Sequence, residues 1–248
     1  QRVFAGGERH LDATAIPMEE ATRLLMNRCT GLLLALERLE RPNFAAADAD
    51  FVGRNIAKAQ LGAGDAVLAA LTQYHWSVRE RHDRIVALAK TSKTPRWLDA
   101  AREHHAAGVD FKLHPERSRA TREELRTRHA TVTAFCHDVW LWLESRRLGC
   151  TFQSAAEYAT HRGPKLVPAA KPRNFLINFK VFGRAGIADE PLRHPRTRIL
   201  NVLPLLLWER DRLRSPEQLA VVRHELRTAA SSFADLVAVY RRLWSQVN

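Results

Sequence analysis

The sequence predicts an all-α fold, an irregular multi-helix bundle of about eight to ten helices with few or no strands. Three observations predict it. Apolar residues recur at alternating steps of three and four, the spacing that gathers them on one helix face. Helix-start signatures, Ser or Thr followed three residues later by Glu or Gln, punctuate the chain. Alternating β-branched runs bounded by turn dipeptides, the mark of strands, are missing.

The first helix follows Ile16-Pro17, where Glu19 and Glu20 place negative charge at the positive end of the helix dipole; Pro42 ends it. A second long helix runs from about Phe44 to Tyr74. Ser77 with Glu80 opens a third, ending near Lys90. Thr94-Pro95 precedes RWLDAAREHHAAG, expected to stop at Gly108 because glycine favours the position just past a helix end. Thr121 with Glu124 opens a helix to about Arg147, and Ser154 with Glu157 a short one. PRTRILNVLPLLLWERDR reads as a helix kinked at Pro204, whose ring removes an intrahelical hydrogen bond. Last, Ser215, Pro216 and Gln218 open a helix whose stripe from Leu219 through Leu226, Phe233 and Tyr240 to Val247 reads as one continuous rod. Residues 1–160 are expected to form a helical bundle, and 161–248 a C-terminal helical segment packed on it as one unit. The irregular stretch HRGPKLVPAAKPR, 161–173, separates them.

The 248 residues, 46% hydrophobic and 27% charged, suffice for a real core. The longest apolar runs, GLLLAL and NVLPLLLW, fall far short of the roughly 18 residues of a membrane span, so no membrane partner is expected. QRVFAGGERHLDA lacks the apolar centre of a signal peptide, and a start at Gln1 without Met fits a piece of a longer protein. Cys29, Cys136 and Cys150 form no Cys-x-x-Cys pair. They read as reduced thiols rather than zinc ligands, which points to the cytoplasm. The net charge is +12, but Arg outnumbers Lys by 32 to 7 and Ala is abundant, as GC-rich coding produces without any ligand. With no zinc finger, RNP motif or basic zipper, the charge lends a nucleic-acid partner only weak support.

GAGDAVLAAL, 62–71, spells the phosphate-binding turn of ribokinase-type sugar kinases. That turn works where a loop meets a helix N-terminus and bare N–H groups face the phosphate. Here Ile56, Ala59, Ala63, Ala66, Ala70 and Tyr74 step through it at helical spacing, so it reads as helix interior. Gly62, Ala63, Ala66 and Ala70 then serve the close approach of a neighbouring helix. Lys58 and Asp65, seven apart, share one side of that helix.

Four stretches in order resemble the helical C-terminal region of bacterial nucleotidyltransferase-type proteins of the polymerase-β superfamily: RLLMNRCTGLLLAL, AKAQLGAGDAVLAALTQYHWSVRER, KPRNFLINFKVFG and RHPRTRILNVLPLLLWE. Such proteins carry a Gly-Ser turn and paired metal-binding carboxylates in an N-terminal domain. This chain has no Gly-Ser dipeptide, and its one close Asp-x-Asp, Asp48 and Asp50, opens a helix with no strand before it. The resemblance therefore implies a non-catalytic accessory or substrate-covering domain. Its partner is the N-terminal nucleotidyltransferase-type domain, and Mg2+ and a nucleoside triphosphate belong to that half, with no cofactor or metal site in this one. Lys58, Asp65, His75 and Arg79 are then the candidate binding residues near a helix junction walled by Tyr74 and Trp76. Lys171 and Arg173 are the candidate contacts to an acidic or phosphate-bearing ligand.

Two alternatives come from other residues. Arg122 and His129 fit the Arg-to-His spacing of HEPN-type helical RNases, which would need both exposed in a groove. The segment from Tyr158 to Ala188 holds no acid but carries Arg162, Lys165, Lys171, Arg173, Lys180 and Arg184. With Pro164, Pro168 and Pro172 keeping part of it extended, these cations are expected to be presented to a polyanion. Phe175, Phe179 and Phe182 are expected in the core. Adjacent His104 and His105 point about 100° apart on a helix and are expected on a solvated face rather than on one metal ion.

Overall fold

Helix accounts for the ordered architecture throughout. The computed structural model describes residues 12–90, 95–163, 165, 171–188 and 190–247, and among these there are eleven α-helices and no strand. The chain divides into two units, residues 1–147 and 148–248.

The first unit holds α1 (Met18–Leu39), α2 (Ala46–Ala70), α3 (Val78–Ala87), α4 (Leu98–Leu113) and α5 (Arg122–Leu148), the last running one residue past the division. α2 packs between α1 and α4, and α3 lies on α4. The glycines explain the closeness. A methyl group on Gly108 of α4 would sit 2.4 Å from the Leu61 backbone nitrogen of α2. On Gly64 it would meet the His105 ring at 2.5 Å, and on Gly62 the Arg28 stem at 2.4 Å. Gly62, Ala63, Gly64 and Asp65 are all buried inside α2. No open turn exists there, so the sugar-kinase spelling carries no phosphate loop.

Gly108 corrects one expectation. α4 continues five residues beyond it, because the residue serves helix contact rather than termination. The predicted start of α5 forms in full: the Glu124 carboxylate accepts from the Thr121 amide at 2.8 Å, and the Thr121 hydroxyl accepts from the Glu124 amide at 3.3 Å. Ser77 and Ser215 precede helices but make no side-chain cap bond.

The second unit holds α6 (Ala155–Thr160), α7 (Lys171–Phe182), α8 (Arg184–Ala188), α9 (Pro195–Trp208), α10 (Pro216–Leu226) and α11 (Phe233–Val247). α9 is its core, buried continuously from Arg198 to Leu207 with Pro204 inside the helix, and α6, α10 and α11 pack on it. The rod expected from Leu219 to Val247 is two helices. Arg227 turns left-handed at φ 52°, and α10 ends there. A stripe of period 3.6 survived across the break because both helices bury their apolar faces, Leu226 on one side and Leu236 and Tyr240 on the other.

Candidate functional site

The sequence-derived residues separate once folded. Asp65 is buried in α2, whereas Lys58 stands exposed two turns earlier and makes no ion pair among the described residues. Asp65 pairs instead with Arg81 of α3, Nε to Oδ1 2.7 Å, and with Nε2 of His105 at 3.1 Å. Arg81 also donates to the backbone carbonyls of His75 at 2.8 Å and Trp76 at 3.0 Å, and its guanidinium lies over the Tyr74 ring. His105 stacks on His82, ring centroids 5.9 Å apart. The side chain of Arg28 joins from α1 beside Gly62; burial pulls its pKa down, and the negative charge of Asp65 opposes that. Four helices thus converge on one buried carboxylate.

This cluster brings together Asp65 and the backbone at His75, and leaves out Lys58 and Arg79, both exposed. The imidazole of His75 turns back to accept from the Ser77 amide. Trp76 is 68% exposed. His105, expected on a solvated face, is fully buried. Its signal was present: Leu98, Ala101, His105 and Val109 form one apolar stripe of α4. His104, half-buried, packs on Phe135 and hydrogen-bonds Gln60.

Arg122 and His129 both serve the fold. The Arg122 guanidinium donates to the carbonyls of Leu39 and Arg41, satisfying the C-terminal end of α1. His129 is buried, and its Nε2 donates to the Leu32 carbonyl at 2.9 Å. His129 thus lacks the exposure that RNase chemistry asks of the pair, and Arg122, half-buried, is engaged by the end of α1. Asp48 likewise receives the Ala45 amide and faces Arg38 and Arg41. Among the described residues no group of three His, Cys, Asp or Glu is arranged to hold a metal ion.

The basic segment of the second unit is split in role. Arg162, Arg173, Lys180 and Arg184 are exposed, whereas Lys165 is buried. Its ammonium donates to the carbonyls of Tyr158 and Ala159 at the end of α6 and to Asn201 Oδ1 at 2.7 Å. Pro164, Pro168 and the Lys171 side chain lie outside the described residues. The phenylalanines depart from expectation too. Phe175 is 40%, Leu176 66% and Phe179 52% exposed, while Asn174 and Asn178 take the buried side of α7 and donate to the carbonyls of Leu192, Pro191 and Arg193. α7 is inverted, polar inside and apolar outside.

Each unit also holds a cleft. In the first, about 1250 Å³ opens over Ile56, Phe111, Leu125 and Val132, with Arg117 and Arg128 at its sides. In the second, about 850 Å³ opens between the end of α6, the start of α9 and α10. No family model, curated protein or solved structure matches the chain.

Proposed function

We propose that this chain is a non-catalytic helical accessory module that docks, through α7, on a folded partner domain of the nucleotidyltransferase type. The α7 face carries this reading. Of the six large hydrophobic residues exposed among the described residues, Phe175, Leu176, Phe179 and Leu192 fall between 175 and 192, and exposed apolar residues gathered in one region mark an interaction site. Phe175, Leu176 and Phe179 share a face at steps of three and four, the arrangement of helix anchors that enter a groove. Asn174 and Asn178 fasten the helix to the 191–193 backbone, so the anchors are held in fixed geometry, as docking on a folded surface favours. Arg173 and Lys180 run along the edge beside Leu176 and call for acidic residues on the partner.

The test starts from the coding sequence on either side of this segment, searched for a domain with a Gly-Ser turn followed by paired aspartates. That domain, produced separately, is titrated with this chain by calorimetry. One-to-one binding, weakened about tenfold or more by Phe175→Ser with Phe179→Ser, supports the reading. Flanks without such a domain, or binding that the double substitution leaves unchanged, overturn it.

A further inference from the structure

We infer that the cleft of the first unit, about 1250 Å³, is a docking groove for an acidic amphipathic helix of a partner protein. That helix seats its apolar face on Phe111 and the apolar base of the groove, and its carboxylates meet Arg117, Arg119 and Arg128. The inference does not rest on docking through α7, which belongs to the other unit.

The size of the occupant follows from the helices that line the groove. α2 contributes over 53–60, α4 over 104–111 and α5 over 124–132. Each stretch is about two helical turns, roughly 10–12 Å at 1.5 Å per residue. The segment between α4 and α5 is seated on α2 at Gly53, where a methyl group would come within 2.8 Å of Ser118 Cβ. Ile56, Ala57, Leu125 and Val132 are buried at the base, and Phe111 is half-buried. The polar pair among them is neutral and matched: His104 Nδ1 accepts from Gln60 Nε2 at 3.1 Å, and burial pulls the His104 pKa below its ordinary value. Small-molecule pockets run from about 300 to 1,000 Å³. A larger cleft, two turns long and uncharged at its base, suits the anchors of a helix, three and four residues apart.

The rim selects the charge of the occupant. Arg117, Arg119 and Arg128 are exposed, and among the described residues none of them forms an ion pair or a hydrogen bond. Two acids share the lining, Glu116 and Glu124. The Glu124 carboxylate is already held, accepting from the Thr121 amide at 2.8 Å and the Thr121 hydroxyl at 3.0 Å. These bonds, with a weaker pull from Arg128, keep its pKa below the ordinary value. The three guanidiniums therefore keep their donors for an incoming carboxylate, which arginine grips through two parallel N–H groups. The chain as a whole carries +12, a field that draws an acidic partner in before contact.

The test selects random peptides of about 16 residues, displayed on yeast, against the whole chain, and measures the enriched ones by fluorescence anisotropy at physiological salt. Enriched sequences should carry large apolar residues three and four apart, flanked by Asp or Glu. Arg117→Ala, Arg119→Ala and Arg128→Ala together should weaken binding about tenfold or more, and Phe111→Ala about fivefold or more. The three arginines are exposed, so the triple variant should melt like the parent. Phe175→Ser with Phe179→Ser should leave peptide affinity unchanged, separating this groove from the α7 face. No enrichment, enriched sequences without acids, or full affinity in either groove variant would each overturn the proposal. Displacement by single-stranded oligouridine at a lower concentration than unlabelled peptide requires would assign the groove to nucleic acid and overturn it too.

Discussion

Arg81 and Asp65 meet at 2.7 Å across the α2–α3 junction, their side chains only 8% and 9% exposed. Arg81 Nη1 also donates to the His75 and Trp76 carbonyls, so one guanidinium ties a loop, a helix and a buried acid together. Removing the acid alone strands Arg81, with Arg28 nearby. Asp65→Ala is expected to cost about 3–5 kcal/mol in urea unfolding followed by circular dichroism. Asp65→Leu with Arg81→Met should recover much of that, because two apolar groups need no counter-charge. A single-variant loss below about 1 kcal/mol would show that the pair is not desolvated in solution.

Gly108 of α4 rests against Leu61 of α2, where a methyl group would meet the Leu61 backbone nitrogen at 2.4 Å and its Cα at 2.7 Å. Gly108→Ala should destabilise by about 1–3 kcal/mol through overpacking, despite the better helix propensity of alanine. Gly62→Ala meets the movable stem of Arg28 and should cost less. Equal melting temperatures for Gly108→Ala and the parent would refute the close approach.

Stability should depend on His129. Burial holds its pKa below the ordinary 6.5, with the hydrogen bond to Leu32 partly opposing. The unfolded chain therefore takes up the proton first as pH falls, so stability is whole above 6.5 and declines between 6.5 and the lower folded-state value. His129→Gln keeps a donor for Leu32 but cannot protonate. Its deficit relative to the parent should shrink between about pH 7.5 and about pH 5.5 in thermal melts. A constant deficit would exclude the mechanism.

Arg122 satisfies carbonyls that α1 leaves open. Arg122→Ala should lose about 1.5–3 kcal/mol, the range for hydrogen bonds to a charged group. Hydrogen exchange should report the loss locally, with faster exchange at the C-terminal turn of α1. Uniform change across the chain would argue against a capping role.

The helices were legible because propensity, periodicity and start signatures agreed: Thr121 with Glu124 and Ser154 with Glu157 cap as written. Gly108 and the Leu219–Val247 stripe misled because local pattern does not distinguish a helix end from a close contact, nor two helices from one. Asp65 was visible as an odd acid on an apolar helix, but its true partners lie 16 and 40 residues away, beyond the reach of any helical spacing. The cleft of the second unit was half legible. Arg162 and Lys165 belonged to the acid-free run, whereas Glu225 and Arg193 enter only through the packing of α10 and α9. The inversion of α7 had a signal in hindsight, since Asn174 and Asn178 are four apart, share one face and oppose Leu176.

Glycine at the α2–α4 crossing sets a limit on motion in the first unit. Where backbone rests on backbone, sliding either rod by one residue would drive a side chain into a gap that admits only hydrogen, so the two must travel as a single rigid piece. Any opening of the apolar cleft beside them falls to the 114–121 segment and α5, which meet α2 at Gly53 through the side chains of Ser118 and Leu125 rather than backbone on backbone.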